Sequence, residues 1–92
     1  MIRLSGRLVC VTEAERTAVL AHCAAHVAAT RAEAGCLSFT IDDTDDPMIF
    51  DVVESFRDRA AFDAHQARTR DSAWFAATRG ILRDFRVQEL RD

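Results

Sequence analysis

The chain has 92 residues, 49% of them hydrophobic, a net charge of -3, and twelve basic residues that are all arginine. The arginines are scattered and form no basic, aromatic-studded stripe, which argues against a nucleic-acid partner, and no apolar run approaches the ~20 residues of a membrane span. A chain of this length hides only about 60–65% of its unfolded surface on folding, so the high apolar content points to a second subunit, a buried ligand, or both.

Residues 2–11 alternate, with Ile2, Leu4, Gly6, Leu8 and Cys10 on one face and Arg3, Ser5, Arg7, Val9 and Val11 on the other. This period predicts a strand with one face on a core. Its half-apolar second face is what a sheet facing another subunit would show. Thr12 and Glu15 have the spacing of a capping box, and a helix is expected from about Glu13 to Ala34. Leu20, Cys23, Ala24, Val27 and Ala28 form its expected apolar stripe, and Gly35 its stop.

From Cys36 to Asp42 alternation returns, with Leu37, Phe39 and Ile41 on one face. Asp42 to Pro47 is a polar turn. It lacks the Gly and closing Glu of a calcium loop, so a solvated turn is expected. Met48 to Phe56 is the second arm of a hairpin, with Met48, Phe50, Val52, Glu54 and Phe56 sharing a face. Asp58 is the expected N-cap of a helix carrying Ala61, Phe62, His65 and Thr69. A break near Arg70 and Asp71 leads to a short helix from Ser72 to about Thr78, ended by Gly80. Arg83 to Leu90 reads as a closing strand.

The order β-α-β-β-α(α)-β predicts an α+β, ferredoxin-like split βαβ fold, a four-stranded antiparallel sheet with helices on one face. One domain over residues 1–92 suffices. Cys10, Cys23 and Cys36 are odd in number and far apart, so they are expected as reduced, buried, small hydrophobes. The first residues lack a signal-peptide pattern, and a cytoplasmic location is the default expectation. His22 and His26 stand at i, i+4, a metal-compatible spacing. They lie off the expected apolar stripe with no third ligand in view, so they read as a solvated pair. No nucleotide-binding glycine loop or G-x-S-x-G elbow is present.

Several segments taken in order carry a resemblance. They are Thr30-Arg31 through Glu33-Ala34-Gly35-Cys36-Leu37-Ser38-Phe39, Asp46-Pro47 before a strand, and Glu54-Ser55-Phe56 followed by Asp58, Ala61-Phe62 and His65. In this spacing the chain resembles the antibiotic biosynthesis monooxygenase family across nearly its whole length. The resemblance implies a homodimer, two copies joined through their sheet faces as a dimeric α+β barrel. It also implies a cofactor-independent oxidation by O₂ of a small phenolic, quinol or polyketide-like aromatic substrate. His65 would be the base lining a pocket between helices and sheet, with Glu54 orienting it or holding a substrate hydroxyl. Phe56, Phe62, Trp74 and Phe75 would be the pocket walls.

Simpler readings stand beside these. His65 could be a packing histidine bonded to a carbonyl or to Glu54, Glu54 could pair with an arginine at the dimer interface, and the aromatics could be plain core. A non-catalytic dimeric module that binds an aromatic compound needs the same pocket without a base. A haem-degrading branch of the family relies on an Asn near the first strand, and this chain has no Asn. The chain also has no Tyr, and Phe56 stands where the family often has Trp; both remove hydrogen-bond donors from the pocket.

Overall fold

The computed structural model describes residues 1–91. Its elements are β1 (Ile2–Val9), α1 (Glu13–Arg31), β2 (Cys36–Asp43), β3 (Ile49–Phe56), α2 (Arg59–Arg70), α3 (Ala73–Thr78) and β4 (Leu82–Glu89). All strand pairs are antiparallel, in the order β2-β3-β1-β4. This is the ferredoxin-like α+β arrangement expected from the sequence. No helix among the described residues is long and apolar enough to cross a membrane.

Register decides which side chains meet the helices. Ile2, Leu4, Gly6 and Leu8 stand opposite Phe56, Glu54, Val52 and Phe50 of β3, and opposite Glu89, Val87, Phe85 and Arg83 of β4. The β1 and β3 members of this face, Gly6 apart, are buried with Val19 of α1 and Phe62 of α2. Fully burying one such apolar side chain contributes roughly 1.5–3 kcal/mol. The opposite face carries Arg3, Ser5, Arg7 and Val9, with Val53, Ile49 and Leu82 among their partners. Arg7 and Asp51 form an ion pair there at 3.3 Å.

Thr12 caps α1 by accepting from the Glu15 N–H at 3.1 Å, and Glu15 reaches back to accept from the Val11 N–H at 2.7 Å. The buried face of α1 differs from the expected stripe. Leu20 is 48% exposed and Ala24 and Ala28 are exposed, whereas Val19, His26 and Thr30 are buried. At 3.6 residues per turn these three lie within about 40° of one another, and the half-buried Cys23 falls beside them. Two of the three are polar, so hydropathy alone sets the stripe about a quarter-turn off. The solvated His22–His26 pair is corrected accordingly: His26 is 6% exposed and His22 is half-buried.

α1 ends at Arg31, short of the expected Ala34, with Ala32 as its C-cap. Gly35 follows with φ +85°, and a Cβ there would stand 2.6 Å from the Ala61 Cβ, so this turn presses directly on α2. Leu37 is a second correction. The pairing steps from Cys36–Phe56 to Ser38–Ser55, which makes Leu37 the extra residue of a β-bulge and leaves it 59% exposed. Of the three free cysteines only Cys10 is buried; Cys23 and Cys36 are half-buried.

Candidate functional site

Between the helices and the sheet lies a cavity of about 190 Å³. Leu4 and Leu8 of β1 and Val52 and Glu54 of β3 are its floor, with Phe39 and Ile41 from β2 and Arg83 and Phe85 from β4. α2 contributes His65, Gln66, Thr69 and Arg70, α3 contributes Trp74 and Phe75, and α1 contributes His26. Apolar walls with few polar groups are the usual make-up of a small-molecule site.

His65 comes to the cavity because Asp58 starts α2. The Asp58 carboxylate accepts the Ala61 N–H at 2.9 Å, and the buried residues Ala61, Phe62 and His65 then follow on one side of the helix. His65 Nδ1 lies 2.7 Å from Glu33 Oε1. A carboxylate there accepts a proton-bearing nitrogen, so Nδ1 carries the hydrogen and Nε2 keeps its lone pair. Nε2 lies 3.4 Å from Thr69 Oγ1 and 3.7 Å from Glu54 Oε1, both cavity-lining. These contacts are too long for strong hydrogen bonds, which leaves that nitrogen available to a ligand. Arg68 completes the row: its Nε donates to Glu33 Oε2 at 3.0 Å and its Nη2 to Thr30 Oγ1 at 3.0 Å.

Charge follows from these contacts. Burial favours a neutral Glu33, but the hydrogen bonds from Arg68 and His65 outweigh it and hold the carboxyl below its ordinary range. Burial lowers the His65 pKa against the opposing pull of Glu33, so the imidazole is neutral near pH 7. Glu54 has no arginine within ion-pair reach among the described residues, and burial, then the charge of Glu33, pushes it up to about 7. The site therefore holds a neutral base beside a carboxyl that keeps its proton to a far higher pH than an ordinary glutamic acid.

His26 stacks on Trp74, with ring centroids 4.9 Å apart and planes 5° from parallel. Its Nδ1 is buried with no hydrogen-bond partner. Burial, aided by the nearby Arg68, lowers its pKa to about 4, so the ring is neutral. The two rings also wall a second hollow of about 130 Å³, which His22, Arg68 and Ser72 line from outside. They form the partition between the two spaces. No three His, Cys, Asp or Glu among the described residues come together as metal ligands.

Of the residues named from the sequence, His65, Glu54, Trp74 and Phe75 meet at the cavity. Phe56 and Phe62 do not line it. They pack edge to face on each other with centroids 5.8 Å apart, and Phe56 lies 4.8 Å from the His65 ring, so they support the imidazole from behind. Their place follows from their position: Phe56 ends β3 on the helix-facing side, opposite Ile2, where α2 covers it. Glu54 lies on the same helix-facing side, opposite Leu4, and pairs with no arginine among the described residues.

Glu33, not Glu54, bonds His65 at Nδ1. A signal for it was present, since an acid just past a helix C-terminus opposes the helix dipole and needs a partner. Thr69 stood with His65 in the pattern of the second helix, whereas Arg68, His26 and Arg83 had no such signal. Their roles depend on how the helices meet one another and β4.

The model of the antibiotic biosynthesis monooxygenase family matches residues 1–77. No curated protein matches the chain. Among solved structures, a Deinococcus radiodurans protein named as a candidate antibiotic biosynthesis monooxygenase is similar at 21% identity and TM-score 0.82, covering 100% of this chain and 94% of its own. Rv0793 from Mycobacterium tuberculosis is similar at 24% identity and TM-score 0.72, covering 99% and 95%. PA3566 from Pseudomonas aeruginosa is similar at 25% identity and TM-score 0.70, covering 99% and 92%. With the family match spanning most of its length and the fold shared end to end, the chain belongs to the antibiotic biosynthesis monooxygenase family.

Proposed function

We propose that this protein is a cofactor-independent monooxygenase that oxidises a small, single-ring phenol with O₂. The observation that carries the reading is the His65 Nε2 lone pair at an apolar cavity of about 190 Å³. A cavity near 150 Å³ holds one benzene ring, so this one suits a substituted single ring better than a fused polyketide.

His65 takes the phenolic proton, and the phenolate passes one electron to O₂. The radical pair joins at the open para carbon to give a hydroperoxide, which loses water to leave a para-quinone. Phenol plus O₂ thus gives quinone plus water, with no external reductant. Glu33 holds the imidazole in the tautomer that accepts at Nε2, and Glu54, its pKa raised by burial, supplies a proton to the departing hydroxide. The walls contributed by Phe39, Trp74, Phe75 and Phe85 exclude water from the phenolate. In this reading two copies pair through the sheet face that carries Val9, Ile49 and Val53.

The test is oxygen uptake and quinone absorbance by chelator-treated protein on a panel of single-ring phenols with an open para position. His65→Ala should lower turnover by roughly 10²–10⁴-fold. No turnover above buffer, or an unaffected His65→Ala variant, overturns the reading. Retained ligand affinity without turnover would leave a binding module.

A further inference from the structure

We propose that Arg83 is the anion-binding corner of this cavity and that its ligand is an aromatic acid, with a carboxylate at Arg83 and a ring hydroxyl at His65. The proposal deepens the reading of the cavity as the substrate site but does not depend on turnover.

A guanidinium carries five N–H groups in a planar fork. Arg83 Nη1 donates to the Thr78 carbonyl at 2.7 Å and to the Ile81 carbonyl at 3.1 Å, and Nη2 donates to Thr78 Oγ1 at 2.9 Å. Nη1 and Nη2 thus each donate to an oxygen of the same residue, which sets Thr78 against the outer end of the fork. That leaves Nε–H and the second Nη2–H without a protein partner among the described residues. These two neighbours form the edge that a carboxylate takes with both oxygens.

Charge points the same way. Arg83 is half-buried, lines the cavity, and has no acid within ion-pair distance among the described residues. Its bonds are all to neutral oxygens. Arg68, by contrast, is matched by Glu33. A partly desolvated cation without a counter-charge is costly unless something anionic completes it. The same three bonds hold the fork in place before any ligand arrives, so little side-chain entropy is lost on binding.

Placement sets the ligand's orientation. Glu54 is opposite Leu4 on one side of β1, and Arg83 is opposite Leu8 on the other. With a strand rise of ~3.3 Å and a spacing of ~4.8 Å, their backbones are roughly 16 Å apart on the diagonal. A carboxylate is drawn to Arg83 and repelled from Glu54, which turns the hydroxyl end toward His65. Arg70, exposed at the rim, is the other arginine lining the cavity.

Trp74 is the only tryptophan and lines the cavity, so its fluorescence reports binding without any reaction. The probes are 3-hydroxyphenylacetate and the uncharged 3-hydroxyphenylacetamide, titrated into the whole protein under nitrogen. The wild type should bind the acid at least about tenfold more tightly than the amide. Arg83→Gln should reduce that preference to within about twofold, and Arg70→Gln should keep it. Equal affinity for acid and amide in the wild type, or binding of neither, overturns the proposal, and these results do not depend on how the variants fold. So does a preference that survives Arg83→Gln or vanishes in Arg70→Gln. A preserved preference with no oxygen uptake would remove the oxygenase reading and leave this inference standing.

Discussion

Glu54→Gln should stabilise the protein at pH 8 and leave it nearly unchanged at pH 4. In the folded state the Glu54 carboxyl keeps its proton up to about pH 7, against an ordinary value of 4.5. Between those values the native state binds more protons than the unfolded chain, so wild-type stability falls as pH rises through that window. Each tenfold change in an acid's ionisation constant corresponds to about 1.4 kcal/mol, which gives a cost of about 3 kcal/mol above pH 7. Gln has nearly the same shape and never ionises, so the variant escapes that cost. His26 acts with the opposite sign: its folded value near 4, below the ordinary 6.5, removes stability as pH falls from 6.5 toward 4. In the wild type the two slopes oppose each other between about pH 4.5 and 6.5, whereas the variant should show the His26 slope uncovered. Urea denaturation at fixed protein concentration, at steps from pH 4 to 8.5, measures both. A stability difference that does not change with pH refutes the reasoning. A variant less stable than wild type above pH 7 also refutes it, since that result means an ionised Glu54 paired with a protonated His65 across the 3.7 Å gap.

Three further outcomes are expected. Gly35→Ala places a Cβ 2.6 Å from the Ala61 Cβ at φ +85° and should cost roughly 1–3 kcal/mol; an unchanged urea midpoint would show that the turn relaxes freely. Glu33→Gln removes the carboxylate that raises His65, so the imidazole should titrate at still lower pH in a ¹H–¹³C NMR titration. An unshifted His65 resonance would mean that the Nδ1 contact is not made in solution. Val53→Glu places a charge among Ser5 and Thr40 on the sheet face away from the helices and should shift sedimentation from dimer to monomer; a monomeric wild type would refute the proposed pairing.

The strands and their inner faces were legible because burial there follows simple alternation. Ile2, Leu4 and Leu8 show it in β1, and Phe50, Val52, Glu54 and Phe56 in β3. α2 was legible from its Asp58 cap and from the His65 spacing. The buried face of α1 was not, because it consists largely of His26 and Thr30, residues that hydropathy assigns to water. Thr30 is satisfied by donating to the His26 carbonyl at 2.8 Å and accepting from Arg68, and only the assembled layers supply the second partner. Alternation misplaces Leu37 because a bulge shifts the phase of a strand without changing its composition. The Glu33–His65 bond joins residues 32 positions apart and depends on how closely the turn after α1 approaches α2.

That approach rests on the backbone at Gly35, where the turn presses on Ala61, rather than on the side chains that shape the hollow. Leu8, Ile41, Phe75 and Phe85 can therefore be traded for bulkier or slighter residues while the imidazole keeps its anchor. A lineage seeking new ligands would collect its changes in the strands and α3, and would leave the Gly35 turn alone. Directed evolution of this scaffold should begin with those four positions.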